Sequence, residues 1–384
     1  MSLKIGIVAG EASGDILAAG MLEELARRDP AFSAEGIAGP GMQAAGCRSL
    51  WPLEKLSVMG LVEVLKHLPE LLKLRRDVVA HFAKTRPDVF IGVDSPDFNL
   101  GLARRLKARG IRTAQYVSPS VWAWREGRAE KIGRSVDRVL CLFPFEPEIY
   151  ARHGVDAVFV GHPLADLIPL QTDRAAARRA LGLPETGRIV ALLPGSRMSE
   201  VTRLAEPFLA TAAWLRQREP DVQFVVPAAT ARLRAHLEQA LAAFPGLDVT
   251  ITDGQSREVM TAADCVLLAS GTAALEAMLL RRPMVVAYKV SALTYLLVRS
   301  FRLLKLPYVS LPNVLAGRRI VPEYLQHDAE PERLGPAVQE LLAPSPLREE
   351  QMRVFGEQHL RLRCNANARA AEAVLDLAGR SPDK

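Results

Sequence analysis

The chain is poor in cysteine, has no apolar run long enough to cross a bilayer, and lacks the glycine fingerprint of a dinucleotide site in its first loop. Its four cysteines, Cys47, Cys141, Cys265 and Cys364, are scattered through 384 residues with no Cys-x-x-Cys pair. Neither a zinc site nor a disulfide framework is indicated. The longest apolar stretches fall well short of a membrane span, which excludes an integral helical membrane protein. The first glycine-bearing loop, Ala9-Gly-Glu-Ala-Ser-Gly-Asp15, does not have the spacing G-x-G-x-x-G, so the dinucleotide reading fails there. There is no recognisable nucleic-acid motif, and lysines and arginines are dispersed rather than gathered in a tail, which makes nucleic acid the weakest partner class. Low-complexity segments and readable internal repeats are also missing.

What is present is a basic, ordinary globular composition. Net charge is +6 with a pI near 9.2, a balance suited to phosphate-bearing substrates or anionic membrane surfaces. Hydrophobic residues make up 49% and charged residues 24%, as in soluble domains. The first residues, Leu3-Lys-Ile-Gly-Ile-Val-Ala-Gly-Glu11, meet an acidic group after one short apolar run. They read as a strand and not as a signal peptide, and a cytoplasmic protein is expected.

Strand and helix patterns alternate along the chain. Short apolar runs near 4–9, 88–93, 112–117, 137–142 and 156–160 interleave with helical periodicity near 14–28, 61–84, 98–109 and 125–135. A second series has strands near 188–193, 222–226, 248–252, 264–268 and 283–287. Its helices fall near 173–181, 199–218, 229–243, 271–280 and 331–342. Alternation of this kind implies parallel sheets covered by helices on both faces. The length also asks for two cores. The expected fold class is α/β with two Rossmann-like doubly wound domains, 1–165 and 173–345, joined by a linker at 163–172. Pro344-Ser-Pro346 then breaks the chain before a last helical stretch in 346–384, expected to return to the first domain.

In open α/β sheets ligands bind outside the carboxyl ends of the strands, and the unusual residues cluster in those loops. The run Ser270-Gly-Thr-Ala-Ala-Leu-Glu276 follows the apolar strand Cys265–Ala269. Unpaired N–H groups at a helix start beside Gly271 and Thr272 favour a diphosphate, and Glu276 is placed to accept from a ribose diol. The plainer reading is a capped helix with an exposed glutamate. Leu193-Pro-Gly-Ser-Arg197 offers backbone donors at Gly195 and Ser196 and a guanidinium at Arg197, or an Arg197–Glu200 helix pair. Tyr288 ends a further strand, and Asn313 lies in Leu311-Pro-Asn-Val-Leu315.

The first half carries its own set. Gly10 and Gly14 allow close backbone approach while Glu11 and Ser13 present polar groups, with Ser13 alternatively a helix cap. In Asp94-Ser-Pro-Asp-Phe-Asn99, Ser95, Pro96 and Asp97 fit the first helical positions. Asp97 is also placed as a general base, although a helix start favours the ionised form and a base needs proton affinity. Ser118-Pro-Ser-Val-Trp-Ala-Trp-Arg125 sets Trp124 and Arg125 to pack a sugar or an acyl chain and hold a phosphate, or simply to anchor a loop. His162, in Gly161-His-Pro-Leu164, reads as a ligand group or as a capping histidine.

Together these loops resemble one family, lipid-A-disaccharide synthase, with the matching pieces in family order from Gly10 to Asn313. The resemblance implies the GT-B fold with a cleft between its domains. It implies UDP-2,3-diacylglucosamine as donor, 2,3-diacylglucosamine 1-phosphate as acceptor, and a β-1,6-linked disaccharide phosphate and UDP as products. It implies an enzyme of Gram-negative lipopolysaccharide assembly, peripheral to the cytoplasmic face of the inner membrane and associated with dimers. On this reading Asp97 is the base. Gly195, Ser196, Arg197, Ser270, Gly271, Thr272, Glu276, Tyr288 and Asn313 bind UDP. Gly10, Glu11, Ser13, Gly14, Asn99, Trp124, Arg125 and His162 line the acceptor side. No Asp-x-Asp triplet occurs, which fits a transferase needing no metal or other cofactor. Two basic apolar segments, 58–76 and 290–305, read as membrane-facing or as core helices. The alternatives are another UDP-N-acetylglucosamine enzyme of the same fold, such as the peptidoglycan glucosaminyltransferase or a 2-epimerase, and a non-enzymatic nucleotide-binding membrane scaffold.

Overall fold

The computed structural model describes residues 2–56, 61–119, 127–290 and 308–380, with the side chains of 61–67 outside that description. It divides into two units, Met1–Asp166 with Leu362–Lys384, and Leu167–Arg361. The changeover thus falls at Asp166, within the proline-bearing stretch read as linker. The final helical stretch is two helices. Pro346–Leu362 ends as the second unit gives way to the first, and Ala366–Leu377 belongs to the first.

The first unit holds a seven-stranded sheet of β1 (Lys4–Ala9), β2 (Ser33–Ile37), β3 (Cys47–Trp51), β4 (Val89–Val93), β5 (Arg112–Tyr116), β6 (Arg138–Cys141) and β7 (Ala157–Phe159). Their spatial order is β3-β2-β1-β4-β5-β6-β7, and the pairs along it are parallel. The chain runs outward from β1 in one direction, returns, and runs outward from β4 in the other. The reversal lies between β1 and β4, with Ala9 opposite Val93. The five residues of β4 are buried throughout, as expected of a strand covered on both faces. Ala370, Ala371 and Val374 of the last helix are in the same core as Ile5, Phe82 and Phe90, so this unit is completed by residues far from it in sequence.

The second unit repeats the plan with β8 (Ile189–Leu193), β9 (Gln223–Ala228), β10 (Val249–Asp253), β11 (Cys265–Ala269), β12 (Met284–Tyr288) and β13 (Glu323–Leu325). The order is β10-β9-β8-β11-β12-β13, and its reversal lies between β8 and β11, with Leu193 opposite Leu268. Phe208, Phe224, Leu267 and Val338 anchor its core. None of the four cysteines is in a disulfide. Burial pushes the Cys47 and Cys265 thiols up to about 12, so they pack as small apolar groups and not as nucleophiles.

Candidate functional site

Each sheet brings two of the singled-out loops together at its reversal, where doubly wound sheets open a crevice. In the first unit these are the loops after β1 and β4. The backbone there is strained. Asp94, Ser95 and Val117 have φ of +54°, +39° and +73°, a region costly for residues with a Cβ. Two buried amides hold it. Asn99 Nδ2 donates to the carbonyls of Val8, Val93 and Asp94 at 3.3, 3.2 and 2.9 Å. Gln115 Nε2 donates to the Asp94 carbonyl at 3.0 Å. Asn99 is fully buried, so it ties β1 to β4 instead of facing a ligand, which corrects the sequence expectation.

The left-handed turn at Ser95 sends its side chain against Gly10. A Cβ on Gly10 would sit 1.8 Å from Ser95 Oγ. Glycine is demanded here by the protein's own packing. The helix Ala12–Arg28 begins after Glu11 with no side-chain cap. Ser13 is exposed and one residue inside the helix, so it is not the cap. The motif's last residue, Asp15, is buried and accepts from the N–H groups of Gly39, Gly41 and Met42 at 2.9, 2.8 and 3.0 Å. It closes the neighbouring turn and is structural, a role the sequence left unassigned.

Pro96 and Asp97 open the helix Pro96–Lys107. The Asp97 carbonyl accepts from Arg75 Nη2 at 2.8 Å. Its carboxylate is 97% exposed, with Arg128 Nη2 3.7 Å away. The backbone is pinned and the carboxylate stands free, an arrangement in which a base meets an incoming hydroxyl. Trp124 and Arg125 lie outside the described residues. His162 does not present a ligand group. It is buried, its N–H donates to the Leu362 carbonyl at 3.0 Å, and Nδ1 accepts from Leu164 N at 3.2 Å. Burial lowers it to about 4, so it is a neutral capping histidine. Of the segment 58–76, Leu68 and Leu72 are 42% and 43% exposed whereas Leu74 is buried. The segment 290–305 lies outside the described residues from 291 onward.

In the second unit the loops after β8 and β11 border a cavity of about 330 Å³. Gly195, Ser196, Arg197, Ser270, Gly271, Thr272 and Tyr288 line it together. The helix Thr272–Leu279 has no side-chain cap, so its first N–H groups are left for a ligand. Two other helices of this unit do have side-chain caps, Asp173 accepting from Ala176 N and Thr230 accepting from Leu233 N, so the missing cap at Gly271 matters for where it lies, at the edge of the cavity. A Cβ on Gly271 would meet nothing within 4 Å. No packing in the described structure requires glycine there, so the space belongs to the cavity.

Two expectations need correcting, for the Ser196–Arg197 backbone and for Asn313, and a third, for Glu276, is narrowed. The N–H groups of Ser196 and Arg197 are not free, because Glu200 Oε2 accepts from both at 3.1 and 3.3 Å. The loop therefore offers the mostly exposed Arg197 guanidinium, 3.6 Å from Glu200, instead of a backbone cradle. Glu276 is paired, accepting from Arg257 Nε at 2.7 Å. Asn313 is fully buried and saturated: Nδ2 donates to Val321 O and Glu323 Oε1, and Oδ1 accepts from Ile320 N and Val321 N. It folds its own loop and does not line the cavity at this reversal. Sequence reasoning missed Pro227, Ala229, Gly254 and Ser256, which line the cavity from the ends of β9 and β10. Their position after strands was the available signal. Ser270 Oγ donates to Val309 O at 2.9 Å, leaving its backbone to the cavity.

Comparison with known proteins agrees with this fold. Among solved structures, the glycotransferase of kitacinnamycin matches with a TM-score of 0.66 and 17% identity over 98% of this chain and 99% of its own. A UDP-GlcNAc 2-epimerase from Neisseria meningitidis, bound to UDP-GlcNAc, matches at 0.62 and 10% identity over 97% and 99%. At such identities the likeness concerns the fold alone, two Rossmann-like domains of the GT-B kind. Sequence relatives are far nearer. Proteins named lipid-A-disaccharide synthase match at 53% identity in Chromohalobacter salexigens over 100% of this chain and 99% of the relative. The identity is 54% in Alkalilimnicola ehrlichii and 51% in Pseudomonas aeruginosa, each over 98% and 99%. The family model described as lipid-A-disaccharide synthetase covers residues 5–374, and this chain belongs to that family.

Proposed function

We propose that the chain joins UDP-2,3-diacylglucosamine to 2,3-diacylglucosamine 1-phosphate, with Asp97 as base and the Gly271 helix start as the diphosphate cradle. A lipid-A-disaccharide synthase is a glycosyltransferase, and as a family member this chain is one. The observation that carries the residue assignment is the uncapped helix at Gly271 opening on an unfilled cavity at the β8–β11 reversal. An α-linked donor giving a β product requires a single inverting displacement. The acceptor 6-hydroxyl oxygen attacks the donor's anomeric carbon, its proton passes to the Asp97 carboxylate, and the anomeric C–O bond breaks with its electron pair leaving on UDP. The helix start and Arg197 stabilise the charge that grows on that diphosphate. Glu276, oriented by Arg257, keeps one carboxylate oxygen for the ribose diol.

Acylated substrates ask for apolar surface near the chemistry. Ile16, on the first turns of the helix that follows Gly10–Gly14, is 72% exposed, and Leu68 and Leu72 are exposed with Lys73 and Arg76. This supports attachment to an anionic membrane face. Among the described residues no helix is long and apolar enough to cross a membrane. The test is release of UDP from the acylated donor and acceptor. Wild-type protein turns over in the presence of EDTA, and Asp97→Asn loses about a hundredfold or more in kcat with UDP affinity kept. In the same preparations Leu68→Ser/Leu72→Ser loses vesicle co-sedimentation at an unchanged melting temperature. No turnover by the wild type would refute the reaction, normal turnover by Asp97→Asn would refute the base, and sedimentation that survives the double change would refute the membrane face.

A further inference from the structure

The helices Leu61–Thr85, Pro96–Lys107 and Arg128–Gly133 of the first unit border a second cavity, of about 390 Å³. Arg75, Arg104, Arg105, Arg128 and Lys131 line it together with Asp97. Among the described residues, the contact of Arg128 with Asp97 at 3.7 Å is the single acid–base pair these five cations make. Arg138 and Arg178, by comparison, are neutralised, Arg138 by Asp156 and Asp376 and Arg178 by Asp264. Five like charges with the single carboxylate of Asp97 among them leave an excess of positive charge, and an arriving anion relieves their repulsion.

Arg75 shows the stress most directly. Its guanidinium stacks on the Phe98 ring at 5.0 Å and gives one hydrogen bond to the Asp97 carbonyl at 2.8 Å. Its Nε is buried with no partner in the structure described. Burial first, and then the charge of Arg105, weaken its hold on its proton. The fork is held in place by packing, not by an acid. Arginine forks match the oxygens of phosphate, and several around one pocket suit a dianion better than a carboxylate.

We propose that this pocket binds the phosphate of the sugar acceptor and so presents that sugar's attacking hydroxyl to Asp97. The inference rests on the reaction proposed above and adds the part of the substrate this unit grips. The donor's diphosphate has its cradle in the other unit, at Gly271. The acceptor's phosphate, on C1, and its attacking hydroxyl, on C6, flank the ring oxygen of one pyranose. A base and a phosphate site sharing one pocket therefore suit the acceptor. Arg104, Arg105 and Lys131 are exposed, so their side chains are replaceable without disturbing the core.

The test is the variant Arg104→Gln/Arg105→Gln/Lys131→Gln, assayed with detergent-dispersed substrates. The KM for the phosphorylated acceptor rises about tenfold or more, while kcat and the donor KM stay within about twofold. With an acceptor lacking the phosphate, wild type and variant have the same KM. Glucosamine 1-phosphate, followed by phosphorus NMR, broadens with wild type and not with the variant, a readout that needs no turnover. An unchanged acceptor KM, or an equal loss on the phosphate-free acceptor, overturns the proposal. So does loss of binding to phosphatidylglycerol vesicles with the acceptor KM intact, which assigns the cations to headgroups. If wild type binds glucosamine 1-phosphate yet releases no UDP, the phosphate site stands and the synthase reading of this chain falls.

Discussion

The two sheet reversals share a topology and are finished in opposite ways. At β1–β4 the crevice is filled by the protein itself. Ser95 packs on Gly10, Asn99 and Gln115 occupy the carbonyls, Asp15 closes the adjacent turn, and Asp94 and Ser95 accept left-handed backbone. At β8–β11 the crevice is open, with a cavity against the helix start and a glycine whose Cβ would meet nothing within 4 Å. A filled crevice fixes the backbone around one carboxylate. An open one leaves donors and room for a ligand that brings its own charge. The same fold thus supplies a rigid platform in one unit and a receptacle in the other.

The contrast between the two glycines is the sharpest way to break this comparison. Gly271→Val puts a side chain into the cavity and not into the protein, so UDP affinity falls about tenfold or more while the melting temperature holds. Gly10→Ala does the reverse. Its Cβ drives into Ser95, costing about 1–3 kcal/mol of stability, and UDP affinity is unchanged. Isothermal titration with UDP and thermal melts on both variants decide. A Gly10→Ala protein that loses UDP at full stability, or a Gly271→Val protein that unfolds with its UDP site intact, would invert the assignment.

A smaller effect sharpens the account of the first unit. His162 is neutral when folded, with its proton affinity lowered to about 4 by burial. As pH falls, the unfolded chain takes up the proton near the ordinary histidine value while the folded imidazole refuses it. Stability is therefore full above that value and is lost on the way down toward 4. Between pH 7 and 5 the loss from this group is about 2 kcal/mol. His162→Asn has a flatter stability profile over that range in urea titrations, and parallel profiles would return His162 to the group of accessible site residues.

Much of the fold was legible because local signals agreed. Proline at Pro96, Pro331 and Pro346 sits at the first position of a helix, as its fixed φ and missing N–H allow. Buried strands such as β4 and β11 read as unbroken apolar runs. β2 and β3 went unread because Ser33-Ala-Glu-Gly-Ile37 and Cys47-Arg-Ser-Leu-Trp51 carry too few apolar residues in sequence, and their place comes from pairing, β2 on β1 and β3 on β2. The helix Ser256–Ala262 was missed as well.

The candidate site was legible at the level of loops and less so at the level of side chains. Strand-end position is a local property, and it correctly gathered Gly195, Arg197, Gly271, Thr272 and Tyr288 around one cavity. Which way a polar side chain turns is decided by the neighbours that need hydrogen bonds. Asn99, His162 and Asn313 each had a ligand's chemistry and each turned inward to satisfy backbone groups. Arg104, Arg105 and Lys131 were passed over because on a helix they resemble any solvated face. Only the meeting of three helices makes them a cluster.

The central claim is that the open reversal of the second unit, and not the glycine loop of the first, receives the nucleotide. A crystal structure of the protein soaked with UDP tests it most directly. The account requires diphosphate density against the backbone of Gly271 and Thr272 with the Arg197 guanidinium turned toward it. Density confined to the loop Gly10–Gly14, with the Gly271 cavity unoccupied, would contradict it.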